Sequence, residues 1–338
     1  PVWTGSEYED KDAFNPAWAC YDILHNGASG HPDNSAYGGG VPYSRIVYDD
    51  FSDWADYCDT KGLECHIYFD SAMTLSSALA RVSEMGRGQV IQRGTYFSCI
   101  VDKASTPVQL FTVGNIGSDS FKESFLETKD RANVIEVSYF DADRDYTRQP
   151  IEYRALDYDE DTTEERRTAI TLYGCVSKQL AINHAKFLLN CNTYLTRTIS
   201  FEASVEAIAI QPGDVFRFQH DVPQWGYGGR VVAATGTSVQ LDQEVTLEEG
   251  TTYKVGIRHK DDTFEIQTVT NSPGTTDTLT VASWTSTPEK FEPYCFGPEN
   301  YEYKLFRTIS VSRGSEQDCT ITALEYHSEI YEDEGDLP

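Results

Sequence analysis

Asn15-Pro16-Ala17-Trp18-Ala19-Cys20-Tyr21-Asp22-Ile23-Leu24, followed by Tyr37-Gly38-Gly39-Gly40, is the most informative stretch of the sequence. It lies within the first ~90 residues, where apolar side chains recur with the period of a helix. The glycine run does not have the spacing of a phosphate-binding loop or of a dinucleotide-binding fingerprint. We therefore interpret it as a turn.

Two helices are predicted downstream of this stretch. Asp50 is the predicted N-cap of a short helix that places Phe51, Trp54, Ala55 and Cys58 on one face. Residues 65–69 are predicted to form a strand. A longer helix is then predicted, capped by Ser71 and ended by Gly86 and Gly88, with one apolar stripe. That stripe contains Leu75, Ala78, Leu79, Val82 and Met85.

Beyond this region the apolar pattern changes to a period of two, which is typical of strands. One substantial helix interrupts the strands; it is predicted to begin near Ser177 and to end before Leu195. The fold class that follows is α+β, predominantly β. The predicted strands cover residues 89–91, 96–101, 108–111 and 133–140, with further strands at 253–257 and 263–266.

The sequence also suggests a division into domains. Residues 1–130 are predicted to form a mixed helical and β subdomain, and residues 131–222 together with 304–331 a β domain with one packed helix. Residues 223–303 begin with a glycine-rich turn and end in a proline-bearing stretch, which predicts an inserted small β-barrel-like domain. Residues 332–338 form an acidic tail.

Net charge is the outstanding bulk property: 54 acidic residues stand against 27 basic ones, which gives −27. Ordinary DNA binding is therefore disfavoured, because affinity for DNA comes largely from lysine and arginine on phosphates. Two interpretations stay open. The charge could let DNA slide through a channel without sticking to it, or it could be a solubility adaptation to a salty habitat.

Neither a membrane-spanning segment nor a signal segment is predicted, since no apolar run approaches about 20 residues. The chain begins with Pro1 rather than Met, so we expect it to be an excised or processed piece. The eight cysteines show no Cys-x-x-Cys pair, and we predict that most are buried free thiols made in a reducing cytosol. They are Cys20, Cys58, Cys65, Cys99, Cys175, Cys191, Cys295 and Cys319.

Catalytic motifs are missing from the sequence, so no enzymatic activity and no cofactor are predicted. It contains no Gly-x-Ser-x-Gly nucleophile elbow and no His-Glu-x-x-His zinc motif. Acidic pairs carry no glycosidase signal when carboxylates are this numerous. The histidines are scattered, and His184 is interpreted as a packing residue of its helix. The others are His25, His31, His66, His220, His259 and His327.

One acidic loop has part of a calcium-binding pattern. Asp141, Asp143 and Asp145 supply oxygens at positions 1, 3 and 5 of a calcium loop, and Glu152 falls at position 12. However, Tyr146 stands where the sharp turn needs glycine, and the flanking residues have strand patterns. The sequence favours a plain polar turn, with calcium binding as the alternative.

The opening stretch resembles the start of the hub region in the tail-tip attachment (host-specificity) protein J family of long-tailed phages. The resemblance continues in the same order along the chain, over residues 15–331, and its shared order is more specific than any single motif. The further matching segments are residues 128–139, Tyr173-Gly174-Cys175-Val176-Ser177, Gln211-Pro212-Gly213-Asp214-Val215, Gly228-Gly229-Arg230-Val231 and residues 323–331.

This resemblance implies a structural virion protein of a siphovirus-type, non-contractile tail. Three copies would form a ring that caps the tail tube below the distal tail protein, within the tail tip or baseplate. The ring would open to let the tape-measure protein and DNA through, with no specific DNA binding and no membrane span. Assembly would take place in the cytoplasm of the bacterial host. Full family members carry further residues before and after this region, so the resemblance gives little support for receptor contact by this piece.

Two other functions stay open from the residues alone. A secreted acidic β-sandwich that binds carbohydrate would be monomeric and would show a glycan-dependent thermal shift. A tail-associated glycosidase would hydrolyse cell-wall polymer and would need a carboxylate pair that the sequence does not reveal. The 21 tyrosines, 16 phenylalanines and 5 tryptophans fit any of the three, since aromatic residues fill β-sheet cores as well as sugar platforms.

Overall fold

The computed structural model describes residues 2–3, 8–9, 14–27, 37–127, 131–155, 158–159, 163–223, 225–301, 303–314 and 318–331. The chain divides into two compact units. The first comprises Pro1–Ala104, Glu127–Thr193 and Ser328–Pro338, and the second Ser105–Leu126 and Tyr194–His327. The four-part division expected from the sequence stays a prediction, and its acidic tail lies outside the described residues, as do His31 and residues 128–130 of the resemblance.

Most of the helical structure belongs to the first unit. Its four helices are α1 (Pro16–His25), α2 (Tyr48–Lys61), α3 (Leu75–Met85) and α4 (Lys178–Tyr194), the last of which ends at the boundary between the units. A 3-10 helix covers Tyr43–Arg45. No helix within the described ranges is both long and apolar enough to cross a lipid bilayer.

The strands of the first unit form small sheets. Two short strands, β1 (Val2–Trp3) and β2 (Tyr8–Glu9), pair with each other, and so do β3 (Gly88–Arg93) and β4 (Tyr96–Val101). The third sheet has the order β8-β7-β9, with β7–β8 antiparallel and β7–β9 parallel. Its strands are β7 (Val134–Asp141), β8 (Thr147–Arg154) and β9 (Arg167–Thr171).

A six-stranded sheet is the main element of the second unit. Its order is β5-β11-β19-β20-β10-β6, and all its pairs are antiparallel except β5–β11. The strands are β5 (Gln109–Phe111), β6 (Lys122–Phe125), β10 (Arg197–Ala203), β11 (Val215–Phe218), β19 (Lys304–Arg313) and β20 (Cys319–Glu325).

Two smaller sheets complete the second unit, with orders β12-β18-β15-β16 and β13-β14-β17. No sheet among the described residues closes into a barrel, because each order ends in two outer strands. The α+β, predominantly β class is confirmed. The strands are β12 (Tyr227–Arg230), β13 (Ala233–Thr235), β14 (Ser238–Leu247), β15 (Tyr253–Arg258), β16 (Phe264–Thr268), β17 (Gly274–Thr280) and β18 (Pro293–Pro298).

Each unit buries its own apolar core. In the first unit Trp54 is fully buried, and its indole Nε1 donates to the Gly86 carbonyl at 2.8 Å, which satisfies the polar atom inside the core. In the second unit the six-stranded sheet buries a cluster of aromatic rings in tilted and edge-to-face contacts. This cluster contains Phe111, Phe201, Phe216, Phe218 and Phe306.

The prediction that most cysteines are buried free thiols is confirmed, since six of the eight are buried and none of the eight is in a disulfide. Burial raises the pKa of Cys58, Cys65 and Cys99 to about 12. These side chains therefore stay protonated at neutral pH and act as small apolar residues.

The predicted caps of the two early helices are wrong, although both helices form. Helix α2 begins at Tyr48, so Asp50 lies inside its first turn, and the predicted buried face of the helix is confirmed. Helix α3 begins at Leu75, and Thr74 rather than Ser71 is its N-cap, because the Thr74 hydroxyl accepts the Ser77 backbone N–H at 3.3 Å.

The predicted strand at residues 65–69 is also wrong, because this segment has no regular secondary structure. Cys65 N–H donates to the Phe14 carbonyl at 2.7 Å, and His66 N–H donates to the Gly174 carbonyl at 2.8 Å. Its backbone groups are thus satisfied by two different segments rather than by one neighbouring strand. Period-two patterning alone could not distinguish this arrangement from a sheet.

The opening motif forms helix α1 and its end. Asn15 is the N-cap, since its side chain accepts the Ala17 N–H at 3.0 Å, and Pro16 follows in the first turn. At the other end, three consecutive N–H groups donate to carbonyls of the last turn: Gly39 to Ile23, Gly40 to Asn26 and Val41 to Leu24, each at 2.9 Å. The glycine run therefore satisfies the carbonyl groups that a helix end leaves unpaired.

Gly38→Ala is expected to lower the free energy of unfolding by about 3 kcal/mol. Gly38 has φ +92°, and an added Cβ would lie 2.6 Å from the Ile23 carbonyl oxygen and 2.8 Å from that of Asn26. The measurement is urea unfolding followed by circular dichroism.

Gly62→Ala is the matched control for this substitution. Gly62 ends helix α2 with φ +63° and has nothing within 4 Å of an added Cβ. This variant should lose only the cost of a left-handed alanine, about 1 kcal/mol. If both variants lost the same free energy of unfolding, the close backbone contact at the end of α1 would make no separate contribution to stability.

Candidate functional site

A polar cleft of about 320 Å³ lies in the second unit, and we call it the charged cleft. Its residues come from the 3-10 helix Val205–Ala209, from strands β12 and β15, from the turn between β15 and β16, and from the loop that enters β18 with the first residue of that strand. It is lined by Glu206, Arg230, Arg258, His259, Lys260, Asp262, Lys290, Phe291, Glu292 and Pro293.

Close backbone packing at two glycines positions Arg230 in this cleft. A Cβ at Gly228 would lie 1.9 Å from Gln219 Oε1, and one at Gly229 would lie 2.3 Å from Asp242 Oδ1. Only glycine allows both side chains to come so near the strand. As a result, Asp242 Oδ2 accepts the Arg230 N–H at 2.9 Å, which fixes the backbone of Arg230.

The Arg230 guanidinium then bridges three segments. Its Nε donates to the Gly114 carbonyl at 3.0 Å, its Nη1 donates to the Phe291 carbonyl at 2.9 Å, and its Nη2 lies 3.9 Å from Glu206 Oε1. The Gly-Gly-Arg-Val motif is therefore a packing motif that fixes one wall of the charged cleft.

Phe291 is held in an unusual conformation at the rim of the cleft. It is one of the described non-glycine residues with positive φ (+75°), yet its ring is 62% exposed. Its N–H donates to the Val231 carbonyl at 2.8 Å while its carbonyl accepts from Arg230. Backbone strain of about 1–3 kcal/mol persists only where the surroundings over-determine it, and these two bonds supply that restraint.

The cations of the cleft are mostly paired with carboxylates. Arg258 lies 3.4 Å from Glu206 and also contacts Asp262. Lys260 contacts Glu289, and this hydrogen bond raises the pKa of Lys260. The cleft is therefore strongly polar but close to neutral, in contrast to the chain as a whole.

His259 lies in the wall of the cleft, 5% exposed, between two carboxylates. Its Nδ1 is 3.0 Å from Glu292 Oε2, and its Nε2 is 3.6 Å from Glu265 Oε2. Burial by itself raises the pKa of Glu265, but hydrogen bonds from the Thr285 and Ser286 N–H groups and from Gln267 lower the pKa overall. Glu265 therefore stays ionised beside the histidine.

Glu292 hydrogen-bonds to backbone groups of two separate segments beside the cleft. Its Oε1 accepts the Lys260 N–H at 2.9 Å, and its Oε2 accepts the Glu289 N–H at 2.9 Å. Both carboxylates beside His259 thus have other structural partners. The arrangement is one that can bind and orient a polar ligand.

The acidic loop considered for calcium forms the tip of the β7–β8 hairpin. Asp141 pairs with Thr147 in the strand register, and Asp143 lies in a 3-10 turn between them. Asp141 Oδ1 accepts the Asp143 N–H at 3.1 Å, and Arg144 Nε lies 3.6 Å from Asp141 Oδ2. The Asp141 carboxylate is thus occupied by its own turn.

The structure does not bring Glu152 to the three aspartates. Glu152 pairs with Glu136, five positions along the hairpin from its tip, a distance of about 16 Å. It instead lies 2.6 Å from Arg154 and 2.7 Å from Arg167, and the Arg154 hydrogen bond lowers its pKa. Within the described ranges, no three histidine, cysteine, aspartate or glutamate side chains converge to hold a metal ion.

Sequence reasoning missed the charged cleft because its residues are up to 87 positions apart in the chain, from Glu206 to Pro293. The one available signal was Gly228-Gly229-Arg230-Val231, which the resemblance implies to be a strand; Gly228 and Gly229 lie in strand β12 and not in the predicted glycine-rich turn. His184 is buried in α4, as expected, and desolvation lowers its pKa to about 3.

Calcium at about 5 mM, above the dissociation constants of weak natural sites, is expected to leave the melting temperature unchanged. The reason is that Glu152 is occupied by arginines and Asp141 by its own turn. Differential scanning fluorimetry with magnesium as the ionic control measures this. A calcium-specific rise in melting temperature that Asp143→Asn abolishes would contradict the expectation.

The chain is similar in sequence to known phage tail proteins. A family model described as "Putative phage tail protein" matches residues 75–234, a little less than half of the chain. The tip attachment protein J of Escherichia phage SECphi27 is 24% identical over 269 residues, which are 73% of this chain and 21% of that protein. The chain therefore spans about a fifth of the length of that curated relative.

Two solved structures share a distant likeness. A chain in the virion of a native gene transfer agent particle has a TM-score of 0.48 at 10% identity, covering 84% of this chain and 48% of that one. The tail protein from Neisseria meningitidis MC58 has a TM-score of 0.39 at 11% identity, covering 77% and 57%. Both scores are too low to assign a function or a partner. The sequence comparisons, by contrast, confirm the resemblance to the tail-tip attachment protein J family and support a structural role in a phage tail.

Proposed function

We propose that this chain is the hub region of a homotrimeric tail tip that caps the tail tube and opens for DNA ejection. The observation that carries the proposal is the alignment of 269 residues with a tip attachment protein J. In this proposal the distal tail protein and the tape-measure protein are its partners. It would act as a mechanical part of the virion with no catalytic role.

The architecture supports a role in assembly. The six-stranded sheet ends in β5 and β6, whose outer backbone groups have no strand beside them among the described residues. Such edges pair readily with another chain. The β6 edge also exposes an apolar ring, Phe125, which Arg197 covers on one side at 5.2 Å from the ring centroid. We place a subunit contact at this edge.

The shared motifs also support a structural role. Gly38 and the Gly228-Gly229 pair are required by close backbone packing rather than by chemistry at a site. Asp214 caps the Pro-Gly-Asp turn, since its Oδ2 accepts the Gln211 N–H at 2.8 Å. The features that this chain shares with the family thus preserve a scaffold.

The charge of −27 fits the same proposal. A bore lined with carboxylates repels DNA phosphates and keeps the passing strand mobile. Replacing acids that face the bore with lysine should therefore slow ejection, and unchanged ejection kinetics would remove this part of the proposal.

The solution mass of the chain tests the proposal, measured by light scattering after size exclusion. We expect three times 38.0 kDa, and we expect Phe125→Asp to reduce it to one chain, because a buried charge at the edge opposes pairing. Tyr68→Asp is the control, since Tyr68 lies in the first unit and is 87% exposed. A monomeric wild type would contradict self-association of this region.

A further inference from the structure

The charged cleft is small, polar and built on fixed side chains. Its volume of about 320 Å³ is at the lower end of the range of about 300–1,000 Å³ for ligand sites. A single ring fits such a volume better than an extended chain. The hydrogen bonds of Arg230 and Glu292 to the backbone hold two of its walls in place.

The balance of charge in the cleft selects against ions. Arg258 is paired with Glu206 and Asp262, and Lys260 is paired with Glu289. An anionic ligand would have to displace these carboxylates, and it would also meet a chain of net charge −27. A cation finds no converging set of ligands among the described residues. A ligand that matches this cleft in charge and polarity is neutral and rich in hydroxyl groups.

The cleft offers both donors and acceptors, as a polyol requires. Each sugar hydroxyl donates one hydrogen bond and accepts others. Lys290 makes no ion pair within the described part of the chain; its ammonium group lies over one face of the Phe291 ring, 4.8 Å from the centroid, and offers a donor beside that ring. The Asp262 carboxylate is 64% exposed and offers acceptor oxygens at the same opening.

Phe291 supplies an apolar face beside these groups. Its ring is exposed at the rim, its backbone is strained at φ +75°, and both its backbone polar groups are hydrogen-bonded. The strained position is thus rigid before any ligand arrives. The negative face of an aromatic ring attracts the weakly positive C–H groups of a pyranose ring.

From the cavity, its charge balance and this ring, we propose that the charged cleft binds one neutral hexopyranose unit of a polysaccharide. Phe291 stacks on the sugar ring, and Lys290 and Asp262 bind its hydroxyl groups. This activity is separate from the proposed hub function, because the cleft is built entirely from residues of one unit of one chain.

Saturation-transfer NMR of the whole chain tests the proposal, with D-glucose, D-galactose and N-acetyl-D-glucosamine as probes. We expect at least one of the three to bind with a dissociation constant of about 1 mM, a value that reflects the few contacts of a single ring. Phe291→Gly should weaken that binding about tenfold. Because glycine accepts positive φ, this variant should keep or raise the melting temperature.

Tyr301→Ala is the matched control. Tyr301 is 59% exposed and has Lys304 Nζ at 5.4 Å from its ring centroid, similar to the pairing of Phe291 with Lys290 at 4.8 Å, but it does not line the cleft. Its loss should leave sugar binding unchanged. Saturation of no probe, binding of inorganic phosphate in place of the sugars, or equal affinity in wild type and Phe291→Gly would each overturn the proposal. None of these outcomes changes the solution mass, so the hub function is judged separately.

Discussion

The hydrogen bonds between the 39–41 backbone and the last turn of α1 are the constraint on which the first unit depends. Three N–H groups and three carbonyl groups meet at 2.9 Å, and no side chain is involved. The contact is possible only because Gly38 lets the chain come within 2.6 Å of the Ile23 carbonyl, measured from the position a Cβ would take. It holds Leu24 and His25 in the core, where His25 Nδ1 lies 2.7 Å from the Val41 carbonyl. The opening motif therefore determines how helix α1 ends.

In the second unit, close approach at glycines again makes a set of hydrogen bonds possible, but here side chains make them. Gln219 and Asp242 reach across Gly228 and Gly229, and Asp242 then binds both the Arg230 N–H and the Tyr294 hydroxyl. Burial raises the pKa of Tyr294 far above its usual range, so the hydroxyl stays a donor. Arg230 in turn holds Phe291 at the rim of the charged cleft. This pair of glycines thus helps to fix the position of Phe291, which lies more than 60 residues further along the chain.

The sequence predicted periodic elements well and their ends less well. The spacing of apolar residues predicted α2, α3 and α4 and the strands around them, because an element that buries one face repeats its apolar residues at a fixed local spacing. The caps at Asp50 and Ser71 were wrong because several polar residues near each helix start could serve; α2 has no side-chain cap, and Thr74 caps α3. The strand at 65–69 failed because its backbone partners, Phe14 and Gly174, lie on different segments. The charged cleft could not be predicted, since nothing local links Glu206 with Phe291.

The central claim is that this chain forms a threefold hub at the distal end of a phage tail. Electron cryomicroscopy of purified tail tips that contain the chain tests it most directly. The account predicts three copies of both units around the tube axis, with the β6 edges at the contacts between copies and carboxylates facing the bore. Density for the chain away from the tip, or a single copy beside the axis, would contradict it.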